Sequence, residues 1–349
     1  MKDVANSQRR LFGVACPRCP VGDCPERGED ARACDCVELQ EVGHCALNHQ
    51  SPDLGHLLLE LDDFSIPAEL PAPYDGPLPP YIPQLIRRVE FPERLPPVVA
   101  VTLGEFVSKN GSFVGGVNAT ERLRVRGAKD VILVGTSLDP QLEAIWRQPD
   151  PFVRAVRKAG IETVLGPAFS VYVGRPPIER AANRARSLKM YDMIARSGFN
   201  AVPAVGFVDA QDAAHAAGWI ASRGLHTVFV DLQSAESSRS WELVRSALPV
   251  LVVSGRLSRI VINGIAHPDR VRELVELVAP ASLIVTNAGA AHTARLSLDY
   301  LRDVRGLLVK RRTVVSSERV FWNLAHYYHR VTSEPGERYV SLSIQPMML

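Results

Sequence analysis

The sequence has no long apolar run, no strong excess of charge of either sign and few aromatic residues. Its 349 residues carry a formal net charge of +2, and 7% of them are aromatic. No apolar stretch reaches the roughly 20 residues of a membrane-spanning helix, so we expect no membrane partner. The first ten residues, MKDVANSQRR, lack the apolar centre of a signal peptide. We therefore expect a cytoplasmic protein whose charge does not by itself indicate nucleic-acid binding.

Cysteine is absent after residue 45, and all six cysteines lie before that point. In a reducing compartment such a cluster is more typical of metal ligands than of disulfides. Closely spaced thiolates suit a structural zinc ion, and an iron–sulfur cluster or free thiols are the alternatives. The segment 1–50 is rich in proline, glycine and charge, so a metal would supply stability that an apolar core does not. The predicted metal ligands are Cys16, Cys19, Cys24, Cys34, Cys36 and Cys45.

Composition divides the chain into four parts. A cysteine-rich metal-binding segment (1–50) is followed by a proline-rich connector (51–97), a large domain (98–331) and a carboxy-terminal tail (332–349). In the large domain, apolar runs alternate with helical patterns, which is typical of parallel sheets covered by helices. The predicted strands are 98–103, 131–137, 163–170, 201–207, 227–233, 259–265, 282–289 and 306–312. The predicted helices are 150–160, 178–197, 209–223, 236–247, 267–278, 290–304 and 317–331.

This pattern predicts an α/β fold, a TIM-like (β/α)8 barrel. Eight strand–helix units over about 215 residues match the usual size of that barrel. An open doubly wound sheet has the same local pattern and is the alternative.

The segment 138–209 contains LEAIWRQPDPFVRAVRKAGIETVLGPAFSVY and then Pro176, Asn183, Arg186, Gly198, Asn200, Pro203, Phe207 and Asp209. It resembles an uncharacterised family known as domain of unknown function 4417, which is common in phage and plasmid genes. The resemblance implies a mobile genetic element and no particular activity. The family usually has an aspartate where this chain has Ala168, so any role of that carboxylate is lost or moved here.

Polar residues at the ends of the predicted strands are candidates for catalysis, because the active site of such a barrel lies at the carboxyl ends of its strands. Asp231 closes the apolar run VFVD, where partial burial would suit it to bind a metal, orient a substrate or accept a proton. Capping of the next segment is the structural alternative. Asn263 and Lys310 complete the predicted catalytic set.

A predicted anion site follows strands seven and eight. Asn287 and Gly289 open a predicted helix, and helix amino termini favour anions. Lys310 and Arg312 would add positive charge from the end of the eighth strand. Two further interpretations are structural: Asp209 caps a helix, and Asn183 with Arg186 forms a buried brace.

Two functions remain open at this point. One is an enzyme that acts on a small anionic or nucleotide-like ligand at the carboxyl face of the barrel. The other is a zinc-stabilised accessory protein of a mobile genetic element that binds nucleic acid or protein. Arg9, Arg10, Arg18 and Arg27 lie near the cysteines and favour the second. The fold alone does not decide, because this barrel hosts many activities.

Overall fold

The structure is a computed structural model that describes residues 70–85, 92–114, 116–172, 177–235, 237–302 and 307–333. The predicted metal ligands and most of the predicted tail lie outside these ranges. The zinc and iron–sulfur predictions therefore stay predictions.

Eight parallel strands form two four-stranded sheets among the described residues, which confirms the parallel α/β class. These strands are β1 (Tyr81–Pro83), β2 (Val98–Thr102), β3 (Asp130–Val134), β4 (Thr163–Leu165), β5 (Asn200–Val202), β6 (Thr227–Asp231), β7 (Arg259–Asn263) and β8 (Ser282–Asn287). One sheet has the order β2-β3-β4-β5 and the other β1-β8-β7-β6. Single parallel bridges, Gln84 with Ala100 and Ala204 with Phe229, link the edges of one sheet to the other. No continuous ladder through all eight strands is present in the described ranges.

Helices follow most strands. The α-helices of the described chain are α1 (Val117–Val125), α2 (Asp139–Arg147), α3 (Pro149–Lys158), α4 (Pro177–Arg196), α5 (Ala210–Ser222), α6 (Ser238–Gly255), α7 (Pro268–Leu277), α8 (Gly289–Arg295) and α9 (Ser317–Ser333). The predicted cap of α5 is confirmed, because the Asp209 side chain accepts a hydrogen bond from the Asp212 N–H.

The strands are buried on both faces, as their continuous apolar sequences predict. One face supplies a cluster to which every parallel strand contributes: Ile82, Ala100, Ile132, Val134, Leu165, Val202, Phe229, Val261 and Ile284. We call this set the inner apolar cluster. Residues at alternating positions, such as Val101, Val230 and Ile262, belong to the larger core that also includes the helices.

The predicted eighth strand is wrong as a parallel strand. Residues Leu308–Arg312 form β10, which pairs antiparallel with β9 (Leu298–Arg302). The predicted helix 290–304 ends at Arg295, and Ser297 then adopts a positive φ of 48° that redirects the chain. The remaining parallel strand is β1, which lies inside the predicted proline-rich connector. Three residues that follow two prolines and end in a third carry too little periodicity to indicate a strand.

Candidate functional site

A layer of polar side chains lies next to the inner apolar cluster, toward the carboxyl ends of the strands. Side chains two residues apart on a strand point to the same face of the sheet, so each polar side chain lies on the same face as the apolar residue two positions before it. Register places Asp231 opposite Asn263 and Asn263 opposite Thr286. The polar residues two positions beyond members of the inner apolar cluster are Gln84, Thr102, Thr136, Asp231, Asn263 and Thr286.

Asn263 is the centre of a hydrogen-bond network in this layer, and its side chain is fully buried. Its Nδ2 donates to Asp231 Oδ1 at 2.8 Å and to Thr136 Oγ1 at 3.3 Å. Its Oδ1 accepts a hydrogen bond from Gln84 Nε2. The same Gln84 nitrogen donates to Thr286 Oγ1 at 3.2 Å. The network therefore connects the carboxylate on β6 with β7, β8 and the residue after β1.

Asp231 is the titratable group of this network. Burial raises its pKa to about 6, although hydrogen bonds from Asn263 and from the Gln233 N–H, at 3.1 Å, favour the charged form. A carboxyl group with such a pKa exchanges protons readily near neutral pH, as general acid–base catalysis requires. The prediction that Asp231 is partly desolvated is confirmed.

Asp231 borders a cavity of about 1000 Å³. Thr102, Thr136 and Phe169 lie on its wall, together with the start of α6. Its size is that of a small-molecule site. Arg239, in the first turn of α6, is the one cation among the described residues that line it.

The loop after β4, which forms part of the cavity wall, is held by α4. Asn183 Nδ2 donates to the Ser170 carbonyl at 2.7 Å. The buried Arg186 guanidinium forms an ion pair with Glu143 at 2.7 Å and lies 4.2 Å from the centre of the Phe169 ring. The interpretation of Asn183 and Arg186 as a brace is thus confirmed, and the brace supports the wall of the cavity.

The structure brings together only part of the predicted site. Asp231 and Asn263 are hydrogen-bonded, whereas Asn287 and Gly289 lie elsewhere, and neither lines the cavity. The Asn287 Oδ1 accepts hydrogen bonds from the Gly289 N–H at 2.8 Å and from the Tyr81 hydroxyl at 3.2 Å. The N–H of Gly289, the first residue of α8, is therefore bonded within the chain by a buried side chain.

Lys310 and Arg312 also lie apart from the cavity lining, because β10 belongs to the antiparallel hairpin. The Lys310 ammonium lies 5.3 Å from the centre of the Tyr300 ring. Arg312 is exposed at the end of β10. Their predicted approach to Asp231 depended on an eighth parallel strand at 306–312, whereas Leu308–Arg312 pairs antiparallel with β9.

Sequence reasoning missed Gln84, Thr286 and Arg239. Gln84 follows a strand too short to recognise from the sequence. Thr286 lies one residue before Asn287, the residue that the sequence predicts for the site. Arg239 lies in a serine-rich helix start, SSRSWE, where an arginine on a solvated face is ordinary. Alternation along β8 is the signal for Thr286, since it shares a face with Ile284.

Comparison with known proteins identifies no family for this chain. No protein-family model matches the chain, and no curated protein matches it. A similar solved structure is described as a "Structural study of Project ID from Aquifex aeolicus VF5". It is 14% identical and aligns over 69% of this chain and 83% of that chain, with a TM-score of 0.37.

The described part of the chain contains no group of three or more histidine, cysteine, aspartate or glutamate residues placed to hold a metal ion. None of its helices combines the length and the apolar character needed to cross a bilayer.

Proposed function

We propose that the two sheets form one closed (β/α)8 barrel and that the chain is an enzyme acting on a small anionic ligand. The inner apolar cluster supports closure, because all eight parallel strands contribute to it. Backbone hydrogen bonds at both sheet edges support it as well. The Leu85 N–H donates to the Ala100 carbonyl at 2.9 Å, and the Val205 N–H donates to the Phe229 carbonyl at 2.9 Å.

Asp231 carries the proposal. Its carboxyl group borders a cavity at the carboxyl ends of the strands, where barrel enzymes have their active sites. A pKa of about 6 keeps both protonation states accessible near neutral pH. We assign Asp231 the role of the group that accepts a proton from the bound ligand or donates one to it.

Arg239 supports an anionic ligand class. It is exposed and lies on the cavity wall, in the first turn of an 18-residue helix. Ser237 caps that helix by accepting a hydrogen bond from the Ser240 N–H at 3.1 Å, and both residues also line the cavity. A guanidinium next to neutral hydroxyl groups suits a phosphate or carboxylate.

A ligand screen with two variants tests the proposal. Small phosphates and carboxylates are added to the ¹⁵N-labelled protein, and amide shifts at residues 204–208 and 232–240 report binding in the cavity. We expect Arg239→Ala to weaken binding about tenfold or more, the cost of a lost charge-assisted hydrogen bond. Asp231→Asn should bind the same compounds and lose their turnover. Arg295→Ala, at an exposed arginine that does not line the cavity, is the control.

The proposal fails if no compound of either class shifts the cavity amides. Equal affinity in the Arg239→Ala variant would remove the anionic ligand class. Turnover that survives Asp231→Asn would remove the catalytic role of the carboxyl group.

A further inference from the structure

The Asn263 carboxamide presents its N–H group, rather than its carbonyl oxygen, to Asp231. We propose that Gln84 is a positioning residue that fixes this orientation by donating a hydrogen bond to Asn263 Oδ1. The catalytic meaning of this role rests on the proposed function, whereas the role itself concerns only the network. Gln84 acts on the carboxylate through Asn263, since its own recorded side-chain hydrogen bonds reach Asn263 and Thr286.

A carboxamide rotated by 180° keeps its shape and exchanges its donor and acceptor ends. In the observed orientation, Asn263 Nδ2 has acceptors in Asp231 and Thr136, and Oδ1 has a donor in Gln84. Rotation would place the carbonyl oxygen against the carboxylate and the NH₂ group against the Gln84 NH₂ group. Gln84 and Asn263 are 3% and 0% exposed, so water does not compensate for these repulsions.

The position of Gln84 is itself held by β8. Its Nε2 donates to Thr286 Oγ1 as well as to Asn263, which uses both hydrogens of the amide. Its backbone N–H donates to the Asn287 carbonyl at 2.9 Å. β8 thus holds Gln84 in place, and the hydrogen bonds run from there through Gln84 and Asn263 to the carboxylate on β6.

The network also determines which carboxylate oxygen is available to a ligand. Among the described residues, the recorded donors to Asp231 are Asn263 Nδ2 and the Gln233 N–H, and both reach Oδ1. Oδ2 is therefore the oxygen that takes the proton. The other ionisable groups among the described residues that line the cavity are Asp139, Tyr172 and Arg239.

The test is a ¹³C NMR titration of the aspartate side-chain carboxyl carbons, in which Asp231→Asn assigns the resonance. Gln84→Met removes the amide at similar length, so Asn263 Oδ1 loses its donor and the repulsion between the two NH₂ groups no longer opposes rotation. We expect the Asp231 midpoint to rise by about one unit, which corresponds to one charge-assisted hydrogen bond. Thr286→Val leaves the Gln84 donor to Asn263 in place, so less than half of that shift is expected.

A double variant separates positioning from general disturbance of the fold. Asn263→Leu should raise the titration midpoint of Asp231 at least as much as Gln84→Met does. The double variant should have the same midpoint as Asn263→Leu alone. Additive shifts, or a midpoint unmoved in Gln84→Met, would overturn the inference. Amide spectra establish that each variant is folded, and Gln84→Leu replaces Gln84→Met if the latter does not fold.

The two proposals fail separately in this experiment. A wild-type midpoint near 4 would remove Asp231 from its proposed catalytic role, while the relative shift in Gln84→Met would still decide the positioning role. A wild-type midpoint near 6 without a shift in Gln84→Met would leave the proposed function standing alone.

Discussion

Replacing Asp231 with asparagine should change the pH dependence of stability. Asn is nearly isosteric, and its Oδ1 can still accept from Asn263 and from the Gln233 N–H. The pKa of Asp231 rises from an ordinary value of 3.8 to about 6 in the folded chain because burial disfavours the charge. The folded protein therefore binds this proton more tightly than the unfolded chain does. The stabilisation is complete below pH 3.8 and is lost as the pH rises through 6.

A difference of about two pKa units corresponds to about 3 kcal/mol of unfolding free energy. About 1.4 kcal/mol of it is lost between pH 5 and pH 8, a range in which most proteins stay folded. The asparagine variant lacks this pH-dependent stabilisation, because its side chain does not titrate. Its unfolding free energy, compared with that of the wild type, should therefore rise by about 1.4 kcal/mol from pH 5 to pH 8.

Urea unfolding at five pH values and constant ionic strength measures this difference. Ser234→Ala is the matched control, because it alters an exposed part of the cavity wall without changing charge. Its difference from the wild type should not vary with pH. A constant difference between Asp231→Asn and the wild type would refute the assignment of a raised pKa to this carboxyl group.

Two other substitutions test the surroundings of the site by the same urea assay. Arg186→Met should cost about 3 kcal/mol, because it removes a buried guanidinium together with its ion pair to Glu143 and its contact with the Phe169 ring. Arg196→Ala removes a surface ion pair and should cost less than about 1 kcal/mol, and equal losses would show that the brace does not matter. Gly264→Ala should destabilise by about 2 kcal/mol or more, because φ is +96° and a Cβ would lie 2.7 Å from the Gln233 nitrogen. Gly218→Ala, in the open interior of α5, should instead stabilise by about 0.5 kcal/mol, and a gain at both glycines would contradict the strained geometry.

The parallel architecture could be predicted because its cause is local. Runs such as TVFVD and RIVIN are apolar without alternation, as strands covered on both faces must be. Asp231 and Asn263 were recognisable because each is the first polar residue after such a run. Their contact followed from the expectation that neighbouring strands end at a common edge.

The errors arose where tertiary pairing, rather than local sequence, decides the structure. Leu308–Arg312 looks like any other apolar strand start, and only its antiparallel partner Leu298–Arg302 separates it from the parallel set. Tyr81–Pro83 is a strand because it pairs in parallel with β8. Gln84 depends on that pairing, so half of the Asn263 network could not be inferred from the sequence.

The pairing of β1 with β8 has a consequence for synthesis on the ribosome. Tyr81 and its hydrogen-bond partner Asn287 are 206 residues apart in sequence. At 5–20 residues per second, β1 would wait at least about 10 s for its partner to be made. During that interval its backbone groups and the apolar side chains of Tyr81 and Ile82 lack their final neighbours. A nascent chain that ends before β8 should therefore depend on chaperones that bind exposed apolar segments.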